Sequence, residues 1–344
     1  MDAKTISVSL LLWLGFCASQ LLGADPSINF IGAQAGLVNH VDGNPVVFVT
    51  DLPIGKPLIS RTMIQPMSRI ETGSMGRVEI LLNPGSYLRV AENSIVRINE
   101  TKLDNVRVAL DKGTVIVESA VFDKKVHALR IETAAGEIAI QKEGLYRFAA
   151  DPEQNAVDVA IRRGKAQWLP EGKPQVTLKS GKRFQLPVSS AGGELQYANI
   201  RKDQVDNLDN WSMRRAQYLV AASDRSSSWA SNSWYSSYAQ RGFRGGWYFD
   251  PFFQMFTFIP FGSNYYSPYG FSYLGYNPYR LYRGYGGGGG TASQGNTGGT
   301  GSQRPTTTQP SPTRSPSTSS PSRSGSFGGA VQSRGASVSH SRGR

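Results

Sequence analysis

Few residues in this sequence combine type and spacing in a way that does chemistry. There are three histidines, His40, His127 and His340. A metal would require His40 and His127 to meet a carboxylate such as Asp42 or Asp123, and neither histidine stands at metal-ligand spacing. The one cysteine, Cys17, lies in an apolar N-terminal run, so the chain beyond it has neither a disulfide nor thiolate chemistry. No nucleophile-elbow sequence surrounds a serine. The glycines at 286–290 lack the Lys-Ser/Thr and the strand–helix setting of a phosphate loop. Glu71, Glu79, Glu118, Glu132 and Glu137 fall in the outward phase of alternating segments, which reads as a solvated face, although sequence alone leaves paired-carboxylate hydrolysis open. The reading is a non-catalytic chain with no metal and no cofactor.

Residues suited to contact are more conspicuous. Between Trp229 and Tyr285 stand 22 of the 36 aromatic residues, set among Gly, Ser, Asn and Pro. Trp247, Tyr248, Phe249, Phe252, Phe253, Phe256 and Phe258 form its densest part, with Arg241 and Arg244 just before them in an Arg-Gly-Phe-Arg-Gly-Gly stretch. Exposed aromatics in such number mark an interface, a carbohydrate-facing surface or a self-associating low-complexity segment, and arginine adds pairing with phosphate. Equally open is a stretch folded back onto the preceding domain, with Phe252–Ile259 as an added strand.

The elements that must position these residues are short strands. Val78, Ile80 and Leu82 alternate with Glu79 and Leu81, and Asn83-Pro84-Gly85-Ser86 reverses the chain into Leu88 and Val90. Val38 and Val41 approach a hairpin-type turn at Asp42-Gly43-Asn44, and 46–49 leave it. Another turn is expected at Asp111-Lys112-Gly113, between 106–110 and 114–118. A unit of glycine followed by alternating apolar residues recurs after Gly76, Gly113, Gly136, Gly164 and Gly181 at uneven spacing. The pattern predicts an all-β domain over 33–187, an irregular twisted β-solenoid or sandwich with glycine corners. Residues 203–223 change to a 3.6-residue period through Val205, Leu208, Trp211, Tyr218, Leu219 and Ala222, which predicts one amphipathic helix. The aromatic segment then occupies 229–285, and 286–344 is Ser/Thr/Gly/Pro/Arg-rich, of a composition expected to be disordered.

Charge and targeting bound the location. The net charge is +12, and residues 211–344 carry thirteen Arg, no Lys and only Asp224 and Asp250. Residues 1–24 read as an export signal, with Ile6–Phe16 apolar but too short to span a bilayer comfortably. No later run is long enough for a membrane helix. Export argues against an intracellular nucleic acid as partner. It favours an envelope protein, together with anionic wall or surface polymers met by the arginine-rich tail, in the periplasm or at the cell surface.

From about Ala33 to Leu186 the β domain resembles the FecR family of bacterial envelope domains. The resemblance is carried by Gly36-Leu37-Val38 through Val41–Val46, by Ile70-Glu71-Thr72-Gly73 with Gly76–Leu82, by Val108–Val115, and by Val159–Ala166. It implies an all-β fold, an envelope location and a bias toward protein–protein contact. The best-known members are regulators in which a cytoplasmic segment restrains a sigma factor and a membrane helix follows. This sequence shows neither segment, so sigma-factor control is not expected to carry over. A periplasmic signalling component remains the first alternative, and an enzyme acting on wall polymers the second.

Overall fold

The computed structural model describes residues 34–49, 54–120, 128–188, 193–201, 204–227 and 242–275. The apolar N-terminal run with Cys17, together with Asp123, His127, Arg241, the outer parts of the aromatic segment and the tail with His340, lies outside them. The strands are β1 (Leu37–Asp42), β2 (Val46–Phe48), β3 (Lys56–Pro57), β4 (Ser68–Glu71), β5 (Arg77–Leu81), β6 (Tyr87–Val90), β7 (Ile95–Glu100) and β8 (Asn105–Ser119). There follow β9 (Ala128–Thr133), β10 (Gly136–Ile140), β11 (Gly144–Ala150), β12 (Ala156–Arg163), β13 (Lys165–Leu169), β14 (Val176–Lys179), β15 (Lys182–Pro187) and β16 (Gln196–Asn199). Helix α1 (Asn207–Ser226) comes next, then β17 (Gly245–Asp250), β18 (Met255–Pro260), β19 (Tyr265–Tyr266) and β20 (Ser272–Tyr273).

The first sixteen strands form one continuous sheet folded into two layers. One layer runs β1-β5-β6-β8-β11-β12-β15-β16, the other β3-β2-β4-β7-β8-β9-β10-β13-β14. Strand β8 belongs to both. Its first half pairs β7 and, in parallel, β9, and its second half pairs β6 and β11. Inward residues of both layers share one core. Val78, Ile80, Val90, Val117, Phe148 and Val159 meet Ile70, Val96, Val108, Ile131, Ile138 and Trp168. Buried branched and aromatic side chains at every second position fix the register, since a one-residue slip would turn each to water.

Two expected turns have another role. Val38 and Val46 do not pair across Asp42-Gly43-Asn44, because β1 pairs β5 while β2 pairs β3 and β4 in the other layer. Asp111-Lys112-Gly113 is not a turn either: β8 runs through it for 15 residues. Ile95 still faces Lys112 across β7, but Ala150 faces Gly113 across β11. Both sites are corners where the chain passes between layers. Glycine is needed there because backbones crowd. At Gly43, φ is +67°, and a Cβ would fall 2.3 Å from the Met75 carbonyl oxygen. Gly164 and Gly181 also sit where the chain changes layer, whereas Gly136 closes the β9–β10 hairpin. The 76–90 hairpin forms as expected, with Leu81 opposite Tyr87 and the Ser86 amide donating to the Asn83 carbonyl.

Gly113 has φ +89°, and a Cβ there would lie 2.2 Å from the Ser94 hydroxyl oxygen and 2.5 Å from its Cα. Gly172 has φ +66° with nothing within 4 Å. Gly172→Ala should therefore cost only backbone strain, about 1 kcal/mol, and Gly113→Ala about 3 kcal/mol or more. Urea midpoints at unchanged m-value measure both, and equal losses would show that the corner is not sterically locked.

Candidate binding surface

The layer containing β8's second half has an outer face that is half covered and half open. Its cover begins with α1. Asp206 caps the helix by accepting from the Asp209 amide, and the Asp209 side chain accepts in return from the Asp206 amide. Asp209 lies in the first turn and Arg225 in the last, the order that the helix dipole favours. Leu208 and Trp211 bury against Ala91, Ile116 and Leu145. Trp211 also donates its indole N–H to Asp42 at 2.7 Å, and Asp42 holds His40 at 3.0 Å. That triad ties the helix to the β1 corner; His40 contacts no metal-ligand set, and among the described residues no cluster of three His, Cys, Asp or Glu side chains is placed to hold an ion.

Beyond α1, β17 and β18 form a two-stranded hairpin, Gly245 opposite Pro260 and Asp250 opposite Met255. It lies on the sheet and does not extend it, so 252–259 is no added strand of the large sheet: Phe252 and Phe253 stand in the turn and Met255–Pro260 is the strand. Trp247 and Phe258 are fully buried and Phe249 and Phe256 nearly so, packed with Leu81, Tyr87, Leu219, Ala222 and Tyr273. The Trp247 ring meets Tyr87 edge-on at 5.0 Å, and Phe258 meets Tyr265 at 5.7 Å. These aromatics therefore supply packing. Of the residues expected to make contact, Tyr248 and Phe253 are half-buried, Arg244 is exposed, and Phe252 is exposed beneath Arg225.

Under this cover lies an ionic cluster in apolar surroundings. Arg89 donates to Glu79 at 2.9 Å and to Glu118 at 2.8 Å, and Arg215 of α1 donates to the other oxygen of Glu79 at 2.9 Å. Asn39 donates to Glu79 as well, and the Ser212 hydroxyl accepts from Arg89 at 3.0 Å. Two cations face two acids, all buried. Glu79 and Glu118 were expected on a solvated face. They do point away from the core, but α1 and the aromatic hairpin seal that face. One signal was readable beforehand: the 83–86 turn sets Glu79 directly opposite Arg89. Burial alone would raise the Glu79 pKa, but Arg215 and Arg89 outweigh it and hold the group at about 2. For Glu118 burial prevails, offset only in part by Arg89 and reinforced by the Glu79 charge, and its pKa is raised.

The open half is a shallow groove of three adjoining hollows, of about 310, 410 and 420 Å³. Their shared residues are Ala149, Asp158, Arg147, Asp206 and Thr114. The floor is short because Thr114, Ala149 and Ala160 occupy outward positions on β8, β11 and β12. Arg147 pairs with Asp206 and Asp209, Arg162 with Asp209, and Arg183 with Asp158. The groove reaches Ile200, the residue after β16, a strand that pairs β15 on one side only and is exposed at all four residues. Sequence reading missed this groove, since its lining comes from β8, β11, β12 and the segment before α1.

Above its unfolded pKa, a depressed acid stabilises the fold, and this contribution is lost as pH falls from the ordinary 4.5 toward the folded value near 2. Glu79→Gln removes the buried charge and leaves Arg89 and Arg215 undercompensated, which should cost about 3 kcal/mol at neutral pH. Between pH 4.5 and 2 the gap to the wild type should narrow, as read from urea unfolding at each pH. A gap that ignores pH would show that Glu79 is not ionised in the fold.

No curated protein matches the chain. Two crystal structures of a proposed anti-sigma factor from Parabacteroides distasonis, at 2.50 and 1.65 Å resolution, align with 38% of this chain at 15% and 14% identity. The TM-score is 0.33 for each, too slight a likeness to carry an argument, and the alignment spans 59% of their length. Residues 68–167, from the first residue of β4 into β13, match the family described as FecR protein.

Proposed function

We propose that this is a non-catalytic, exported envelope protein that binds a protein partner through its FecR-type domain. The observation that carries the reading is the division of one sheet face into a sealed half and an open half. The sealed half spends its aromatics on packing. The open half presents arginine–aspartate pairs over an alanine floor, beside a strand edge with free backbone groups. An extended segment can add to such an edge while its side chains meet the pairs in the groove. Among the described residues no helix is long and apolar enough to cross a membrane. The arginines of the C-terminal tail add salt-sensitive attraction to anionic wall polymers.

A periplasmic signalling component is supported by the same FecR match, and the groove would serve it equally well as the surface that reads a receptor. An enzyme acting on wall polymers finds less support. Asp206 is held at about 2, first by the hydrogen bond from Arg147, and a carboxylate kept ionised is a poor proton donor. Asp158 and Asp209 are likewise paired with arginine.

The test compares capture from native envelope by three full mature chains: wild type, Ala160→Arg, which fills the groove, and Asn199→Pro, which removes an edge donor. A specific protein retained by the wild type and lost from both variants, each with wild-type circular dichroism, is the expected result. Retention unaffected by either change would exclude this surface.

A further inference from the structure

The first 210 residues are close to electrically neutral, yet three connections at one end of the fold are strongly basic, while the β7–β8 connection at that same end adds one cation and one acid, Lys102 and Asp104. Three tight connections meet at one end of the two-layered sheet: 141–143 between β10 and β11, 163–165 between β12 and β13, and 179–182 between β14 and β15. They carry Lys142, Arg163, Lys165, Lys179 and Lys182 against the single acid Glu143. The backbone shows how closely they gather. The Tyr146 phenol donates to the carbonyl of Lys142 at 2.6 Å and lies 3.2 Å from that of Lys165. Lys165 stands directly opposite Lys179, and the Gly181 amide donates to Ile161, two residues before Arg163. At the other end, the connections 151–155 and 170–175 bear Asp151, Glu153 and Glu171 against Lys173 alone.

Like charges set opposite each other across a strand pair are destabilising. Among the described residues none of the five cations has a carboxylate at ion-pair distance, while the arginines on the sheet faces nearby are paired. Four of the five are exposed; Lys182 is half-buried and rests over the Tyr197 ring at 3.9 Å. No aromatic or aliphatic side chain stands among the residues of the three connections. Strands about 4.8 Å apart and layers about 10 Å apart spread the cations over a compact disc rather than a stripe. A stripe would follow a linear polymer. A disc of hydrated lysines on protruding turns matches a flat, negatively charged surface.

We propose that this end docks the domain on a bilayer rich in anionic phospholipid, by electrostatic adsorption without insertion. Docking there leaves the groove and the β16 edge, on the side of the sheet, free for a partner. The test is co-sedimentation of the full mature chain with vesicles of phosphatidylcholine, with and without a third of phosphatidylglycerol, at roughly 0.1 M salt. Because the C-terminal arginines also attract such vesicles, the comparison is between two variants of equal net charge. One carries Lys142→Gln, Lys165→Gln and Lys179→Gln; the other carries Lys56→Gln, Lys112→Gln and Lys173→Gln.

The first set should weaken binding to anionic vesicles by at least about tenfold, since each cation near such a surface contributes about a fivefold factor. The second set should weaken it by less than about threefold, and neutral vesicles should bind neither. Equal losses in the two sets would overturn the proposal, for then net charge and the tail suffice. Vesicle binding that survives in the first set while retention of soluble polyphosphate is lost would also overturn it, in favour of a linear polyanion.

Discussion

Strand β8 takes part in four ladders, and everything else in the domain is arranged around its passage between layers at Lys112 and Gly113. A strand of 15 residues cannot bury two opposite faces in one flat sheet of this size without leaving one bare. By bending at Gly113 it gives its first half to one layer and its second half to the other, so both layers share one interior. The consequences spread outward from that bend. Ser94 must lie against the glycine, which fixes the β6–β7 connection. The second half of β8 then turns Ile116 and Glu118 outward, where a further layer is required to cover them.

That further layer explains the composition of the C-terminal third of the described chain. Residues 207–275 supply a helix and two small hairpins whose aromatics replace water over Leu81, Tyr87 and Ala120. The cluster of Glu79, Arg89, Glu118 and Arg215 at the centre of the same interface is of another kind. Buried ion pairs seldom add net stability, because desolvation cancels much of the attraction, but an unpaired member is costly. Such a cluster rewards one placement of α1, the one that brings Arg215 to Glu79, and penalises every sliding alternative. Apolar packing covers the face, and the ion pairs set the register of the cover.

Much of this was legible in the sequence. Alternation and glycine spacing announced short strands, and the 3.6-residue stripe announced the helix, which runs 207–226 against an expectation of 203–223. Tyr218, counted in that stripe, is exposed because it stands one position out of phase with Leu219. Asp42-Gly43-Asn44 and Asp111-Lys112-Gly113 misled because a positive-φ glycine serves a hairpin and a layer corner alike, and the difference lies in which distant backbone crowds it. Outward Glu79 and Glu118 looked solvated because local periodicity tells which side a residue takes and nothing of what arrives there from far along the chain, as Arg215 does 136 positions after Glu79. The groove and the charged end were invisible for the same reason, since each is assembled from separated strands and turns.

The span between the sheet and its cover has a bearing on biogenesis. Asn39 exchanges hydrogen bonds with the backbone of Phe256, 217 positions further on. A chain emerging from its N-terminus completes both layers long before that residue appears, and the face bearing Leu81, Tyr87 and Ile116 then stands naked in water. Glu79, Arg89 and Glu118 are spaced across that same face. While it waits, their charges are hydrated and discourage sticking to neighbouring nascent chains; once α1 arrives, the same groups become its locating pins. One set of side chains thus acts as a temporary solubiliser of an unfinished molecule and a permanent fastener of the finished one.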